Sequence, residues 1–263
     1  MLIRTRQRGN LLRVEAKLPF NAMSRAAVDA ETARVRHCVI PIISEKKRRP
    51  TLEGSAVAVA FRGRKFLVTA EHVMNESGRR PLMYFAADTH TRPLGGAFTV
   101  SKTHDIAVLQ LADHDIEDLS HIPFLDENAI GSAADQYGRY YASVTGYPHK
   151  ASKLKDPVTL DTGMEVLSSL AIEGKDGVIA VSFDKKEGGW TTDGHSYARD
   201  PTGKSGGAIF GMPLLGLNAV RPFASIKLTG IGTFWDRKNK RILGASSSVL
   251  IPLLTAAIEN STA

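Results

Sequence analysis

From residue 36 onward the chain never sustains an apolar stretch for long. Short apolar or alternating runs are cut every few residues by Gly, Pro, Asn, Asp or charged turns, which disfavours long helices and fits the strands of a β-barrel or sandwich. Six runs precede residue 112, at 36–43, 53–61, 65–69, 82–87, 97–100 and 106–111, and Arg62-Gly63-Arg64 reads as a hairpin turn between the second and third. A polar, less regular stretch follows. Six more runs come at 139–146, 165–172, 178–183, 206–210, 226–235 and 241–249. The expectation is an all-β chain of two six-strand halves.

The flanks differ from this pattern. Residues 1–35 lack strand alternation, and 24–34 has helix-favouring composition with Ser24 as a candidate N-cap, so this part is read as an N-terminal extension. At the other end Leu253, Leu254, Ala257 and Ile258 recur at helical spacing and predict a short amphipathic helix. The expected organisation is an extension (1–35), a first unit (36–120), a linker (121–138), a second unit (139–249) and a helix with its tail (250–263).

At 263 residues the chain can support two packed cores, and its 43% apolar and 23% charged composition is that of an ordinary globular protein. Cys38 is the one cysteine, so packing rather than an internal disulfide must hold the fold, as suits a reducing compartment. Neither a signal-peptide pattern nor an apolar run near the ~20 residues of a membrane span is seen, and a soluble cytoplasmic protein is the expectation. The net charge of +7 is concentrated in Arg4, Arg6, Arg8 and Arg13 and in Lys46-Lys47-Arg48-Arg49. No aromatics are interleaved there to stack bases, which argues for solvated surface rather than a nucleic-acid site.

Three local motifs bear chemistry. An apolar run, Phe66-Leu67-Val68-Thr69-Ala70-Glu71-His72, delivers a histidine at its end; Asp105 heads the run Ile106-Ala107-Val108-Leu109; and Ser205 sits in Gly203-Lys204-Ser205-Gly206-Gly207 before another apolar run. A serine hydroxyl is a poor nucleophile until an imidazole takes its proton, and the imidazole needs a carboxylate to fix its tautomer. Glycines let the backbone turn so that the Gly203 and Ser205 N–H groups converge on a developing oxyanion.

These motifs, in the order histidine, aspartate, serine, resemble the chymotrypsin-like serine proteases, and among them the disulfide-poor bacterial HtrA-type members. The resemblance covers roughly residues 36–258 and implies two six-stranded antiparallel β-barrels facing one another across a cleft. It implies an endopeptidase with His72, Asp105 and Ser205 as the triad, Gly203 and Ser205 as the oxyanion hole, and no cofactor. Thr233, Phe234 and Trp235 fall on the family strand that pairs with the substrate backbone, and Arg199 falls near the floor of the primary specificity pocket. An inward-pointing Arg199 favours an acidic or polar residue before the scissile bond; the alternative is a salt-bridged or solvent-facing arginine. The chain departs from the family pattern at Lys204, where members activated by proteolysis carry an aspartate, and at Glu71, where a small residue is usual. Activation by a newly freed N-terminus is therefore not expected, and Glu71 either crowds the imidazole or faces solvent.

Two other readings stay open at this stage. Ala198 to Ser205 resembles a relaxed phosphate-binding loop, although Gly206, Gly207 and Pro213 disfavour the helix such a loop requires. A protease-like fold kept for binding would carry the same residues without activity. The other histidines and Cys38 show no metal-ligand spacing, so no metal is assigned. The expected partners are a polypeptide substrate and a regulatory protein, with no nucleic acid and no membrane.

Overall fold

The computed structural model describes residues 30–76, 80–154, 160–184, 189–191, 194–196, 200–213 and 226–262. Most of the helix expected at 24–34 lies outside these, but residues 30–35 are helical. Thr32 there is buried, and its hydroxyl donates to Ser143 Oγ at 3.1 Å, tying the end of the extension to the second half of the chain.

The first half is an antiparallel sheet of β1 (Val39–Lys46), β2 (Arg49–Phe61), β3 (Arg64–Thr69), β4 (Met83–Phe85), β5 (Thr91–Pro93), β6 (Phe98–Ser101) and β7 (Ile106–Gln110). Lys47 and Arg48 form the β1–β2 turn with φ of 53° and 59°, and Arg62 and Gly63 form the β2–β3 turn with 47° and 72°. Positive φ at both turn residues matches the right-handed twist of the strands and makes tight hairpins. The basic cluster at 46–49 is therefore a hairpin tip and its flanks.

Sheet order is β5-β4-β1-β2-β3-β7-β6, seven strands with β5 and β6 as the two ends, where six strands closing on themselves were expected. The extra strand, β5, is three residues long and polar on most sides, so it carries no hydrophobic signal; backbone pairing to β4 alone defines it. Helices α1 (Glu71–Glu76) and α2 (Asp113–Asp118) leave the ends of β3 and β7.

The second half closes into a six-stranded barrel. Its strands are β8 (Arg139–Gly146), β11 (Glu165–Glu173), β12 (Val178–Ser182), β15 (Ala208–Pro213), β16 (Lys227–Asp236) and β17 (Arg241–Ser246). Two small hairpins, β9 (Ser152–Leu154) with β10 (Leu160–Thr162) and β13 (Gly189–Thr191) with β14 (Gly194–Ser196), stand outside it. The expected strand at 241–249 ends early because Ser247 begins α3 (Ser247–Thr262).

Leu250, Leu254 and Ala257 of α3 are buried in a core that also takes Val57, Phe66 and Val108 from the first sheet and Phe210, Leu228 and Ile231 from the barrel. The helix thus fills the seam between the halves, and each leucine it buries there contributes about 1.5–3 kcal/mol of transfer free energy. Separate clusters occupy the other face of the first sheet and the interior of the barrel. None of the described helices is long and apolar enough to cross a membrane.

Candidate active site

Strand pairing brings the histidine and aspartate motifs together. β3 pairs with β7 so that Thr69 lies opposite Ala107. Asp105 therefore arrives beside His72 where these two interior strands meet their connecting segments. The Asp105 backbone is left-handed, with φ 52° and ψ 48°, a conformation that Asp and Asn tolerate better than most residues. Its carboxylate accepts from His72 twice: the ring Nδ1–H donates to Oδ2 at 2.7 Å and the backbone N–H to Oδ1 at 2.9 Å. With both side chains 31% exposed, the pair sits at a cleft wall rather than in the core.

Glu71 does not crowd the ring. Its carboxylate accepts from Asn75 Nδ2 at 2.8 Å one helical turn along, while its N–H donates to Asp105 O at 3.1 Å.

Ser205 lies in the tight turn before β15, held between the halves. Ser55 of β2 donates its N–H to Ser205 O at 2.8 Å, accepts from Tyr147 N at its hydroxyl (2.9 Å), and accepts from the Thr69 hydroxyl at its carbonyl (2.7 Å). Gly206, at φ 82°, makes this approach feasible: a Cβ there would lie 2.0 Å from Ser55 O. Gly203 has φ 97° and packs against His149, whose N–H donates to Thr202 O at 2.9 Å. Among the described residues neither the Gly203 nor the Ser205 N–H has a backbone acceptor. The Ser205 hydroxyl donates to Thr233 O at 3.3 Å.

One cleft of about 750 Å³ is lined by His72, Asp105, Gly203, Ser205, Thr233, Phe234 and Trp235. Thr233 is the extra residue of a bulge in β16, and Phe234 beyond it is 61% exposed. Trp235 packs edge-on to Phe183, ring centroids 5.7 Å apart, and carries the Arg237 guanidinium 4.5 Å from its own centroid. Seven of the residues singled out in the sequence therefore share one cleft. Arg199, the eighth, lies outside the described residues.

Several cleft residues had no sequence signal. His149, Arg237 and Lys238 add basic character, opposed by Glu53 and Asp236. Desolvation pushes the nearby Asp200 carboxyl up, but hydrogen bonds from Thr202 and the charges of Arg237 and Lys150 outweigh it and hold the group below the usual carboxylate range. Lys204 turns away from solvent and pairs with Glu165, Nζ to Oε2 3.3 Å. The phosphate-loop reading fails on geometry, because the strand Ala208–Pro213 and not a helix follows Lys204-Ser205. Among the described residues no group of three His, Cys, Asp or Glu side chains is arranged to hold a metal.

Comparison with known proteins agrees with this architecture. No protein-family model and no curated protein matches the sequence. Solved structures do. A serine endoprotease from Yersinia pestis superposes with a TM-score of 0.50 at 16% identity, over 89% of this chain and 67% of that one. The HtrA-type protease AlgW with a tripeptide gives 0.50 at 18%, over 89% and 64%. A thermostable serine protease AL20 from an extremophilic microorganism gives 0.50 at 13%, over 86% and 99%. With its closed barrel, its companion sheet and the cleft between them, the chain has the fold of the chymotrypsin-like serine proteases.

Proposed function

We propose that the protein is a serine endopeptidase that hydrolyses peptide bonds through an acyl-enzyme intermediate. The observation that carries this reading is the 2.7 Å contact between His72 Nδ1 and Asp105 Oδ2 at the wall of a cleft that Ser205 also lines. A hydrogen bond from Nδ1–H to the carboxylate places the ring lone pair on Nε2, the atom that must accept a proton from the nucleophile. In this reading the Ser205 hydroxyl, which donates to Thr233 O in the structure, turns to that nitrogen before it reacts.

Ser205 Oγ then attacks the scissile carbonyl, His72 takes the hydroxyl proton, and Asp105 stabilises the imidazolium. The Gly203 and Ser205 N–H groups receive the oxyanion; one such donor is worth on the order of 10²–10³ in rate. His72 returns its proton to the leaving amine, the acyl-enzyme forms, and water attacks it by the same route in reverse. No cofactor enters the cycle.

For the substrate, the backbone of Thr233, Phe234 and Trp235 offers an edge for an extended peptide, and the Phe234 ring an apolar face beside it. The cations Arg237 and Lys238, with Arg199 as a further candidate, favour an acidic side chain near the scissile bond. A single buried thiol, Cys38, fits residence in the reducing cytoplasm, where such an enzyme needs a regulatory partner or trigger. Cleavage of a mixed peptide library tests the proposal. We expect cuts that disappear in Ser205→Ala and His72→Ala; cleavage unchanged in either variant rejects the assignment.

A further inference from the structure

Lys204 stands between the two oxyanion donors in sequence, yet its side chain is only 8% exposed, and that of its partner Glu165 only 10%. A buried ammonium is unfavourable unless it is paired, so this turn conformation is tied to the presence of a carboxylate at that spot. The chain provides the space as well as the charge. Glu165, first residue of β11, pairs directly with Gly146, last residue of β8. Lys204 lies across that glycine: a Cβ at Gly146 would come within 3.2 Å of both Lys204 Cα and Cβ. The Lys204 backbone is fixed from both sides, its N–H donating to Pro201 O at 2.9 Å and its carbonyl accepting from Gly207 N at 2.8 Å.

With the side chain inside, the peptide units flanking Lys204 hold the Gly203 and Ser205 N–H groups in their present direction. Release of the ammonium to solvent would leave those units held by the two backbone hydrogen bonds alone.

We propose that Glu165 is a positioning residue for the oxyanion hole, acting through its ion pair with Lys204. This inference rests on the serine-hydrolase reading. It implies that the nucleophile turn is held in working geometry by an internal carboxylate at the start of β11.

The test is the rate of Ser205 labelling by a fluorophosphonate probe on the full chain, separated into the maximal labelling rate and the probe concentration at half-maximum. Glu165→Met and Lys204→Met are each expected to lower the maximal rate by on the order of 10²-fold, with the half-maximal concentration little changed, as loss of an oxyanion donor predicts. The double variant removes both charges and should recover to within about tenfold of wild type, because each single variant leaves one charge of this ion pair buried without the other. Glu165→Met labelling at the wild-type rate overturns the inference. So does a folded double variant no faster than the slower single one, which would mean that Lys204 acts on the reaction directly. If Glu165→Met fails to fold, as judged by its thermal melt, the double variant and Glu165→Gln decide on the same criteria. A wild type that takes no label overturns the hydrolase reading and this inference with it.

Discussion

Replacing Asp105 by Asn separates the role of the carboxylate from its place in the fold. Two donors of His72 converge on this group, the ring Nδ1–H at 2.7 Å and the backbone N–H at 2.9 Å. A carboxylate accepts both; an amide has one carbonyl oxygen and one NH₂. If the carbonyl keeps the backbone N–H, the NH₂ faces the ring and stabilises the tautomer with its proton on Nε2, which cannot act as a base. If the amide is flipped, its NH₂ opposes the backbone N–H and loosens the start of α1. The first arrangement is the cheaper, and its expected cost is about 10⁴-fold in kcat, or about 5.4 kcal/mol of barrier. Folding should be spared, because Asn accepts the left-handed backbone of position 105 as readily as Asp does. The assay pairs peptide hydrolysis with a thermal melt of the same sample. A loss below tenfold with an unchanged melt would refute the view that this carboxylate sets the tautomer of His72.

Two further predictions concern stability. Leu254 is fully buried in the seam between the halves, so Leu254→Ala should cost about 2–5 kcal/mol in denaturant unfolding; a cost under about 1 kcal/mol would mean that α3 does not bind the two sheets together. Asp135 accepts from the Tyr137 and Arg139 N–H groups and from the Arg139 guanidinium, and although desolvation raises its carboxyl, these bonds prevail and hold it below the usual range. A carboxyl lowered by folding contributes fully above its unfolded value and loses that contribution as pH falls through its folded one. Asp135→Asn should therefore destabilise by about 1–2 kcal/mol near neutrality, the gap from wild type closing in acid; a gap independent of pH would contradict this.

How much of this could be read from the sequence depended on how local each feature is. His72, Asp105 and Ser205 each announce themselves within a few neighbours, because a strand end or a glycine-rich turn presents the side chain. The chain order of the three motifs then pointed to a known fold. The pairing of β3 with β7 completes what local reading could not supply, the contact between His72 and Asp105. Ser55 and Glu165 gave no warning. Each acts on the Ser205 turn from far away in sequence, and a serine or a glutamate in a strand has no pattern of its own. β5 carries no sequence signal because an edge strand of three residues needs no buried face. The six-strand closure was legible for the barrel, where apolar runs are long, but not for the first sheet, where short polar edge strands decide whether the ends meet. Strand limits shifted where turn chemistry overrode the apolar run, as at Ser247, whose serine-rich neighbourhood starts a helix while the hydrophobic pattern continues.

The central claim is that a substrate acyl group is transferred to Ser205 with His72 as the base. Rapid acid quench after mixing the protein with a p-nitrophenyl ester, followed by intact-mass measurement and peptide mapping, reads this directly. The account predicts one acyl group per chain, carried on the peptide that contains Ser205, and absent from both Ser205→Ala and His72→Ala. Ester turnover with no adduct at Ser205, or an adduct that persists in His72→Ala at the wild-type rate, would contradict it.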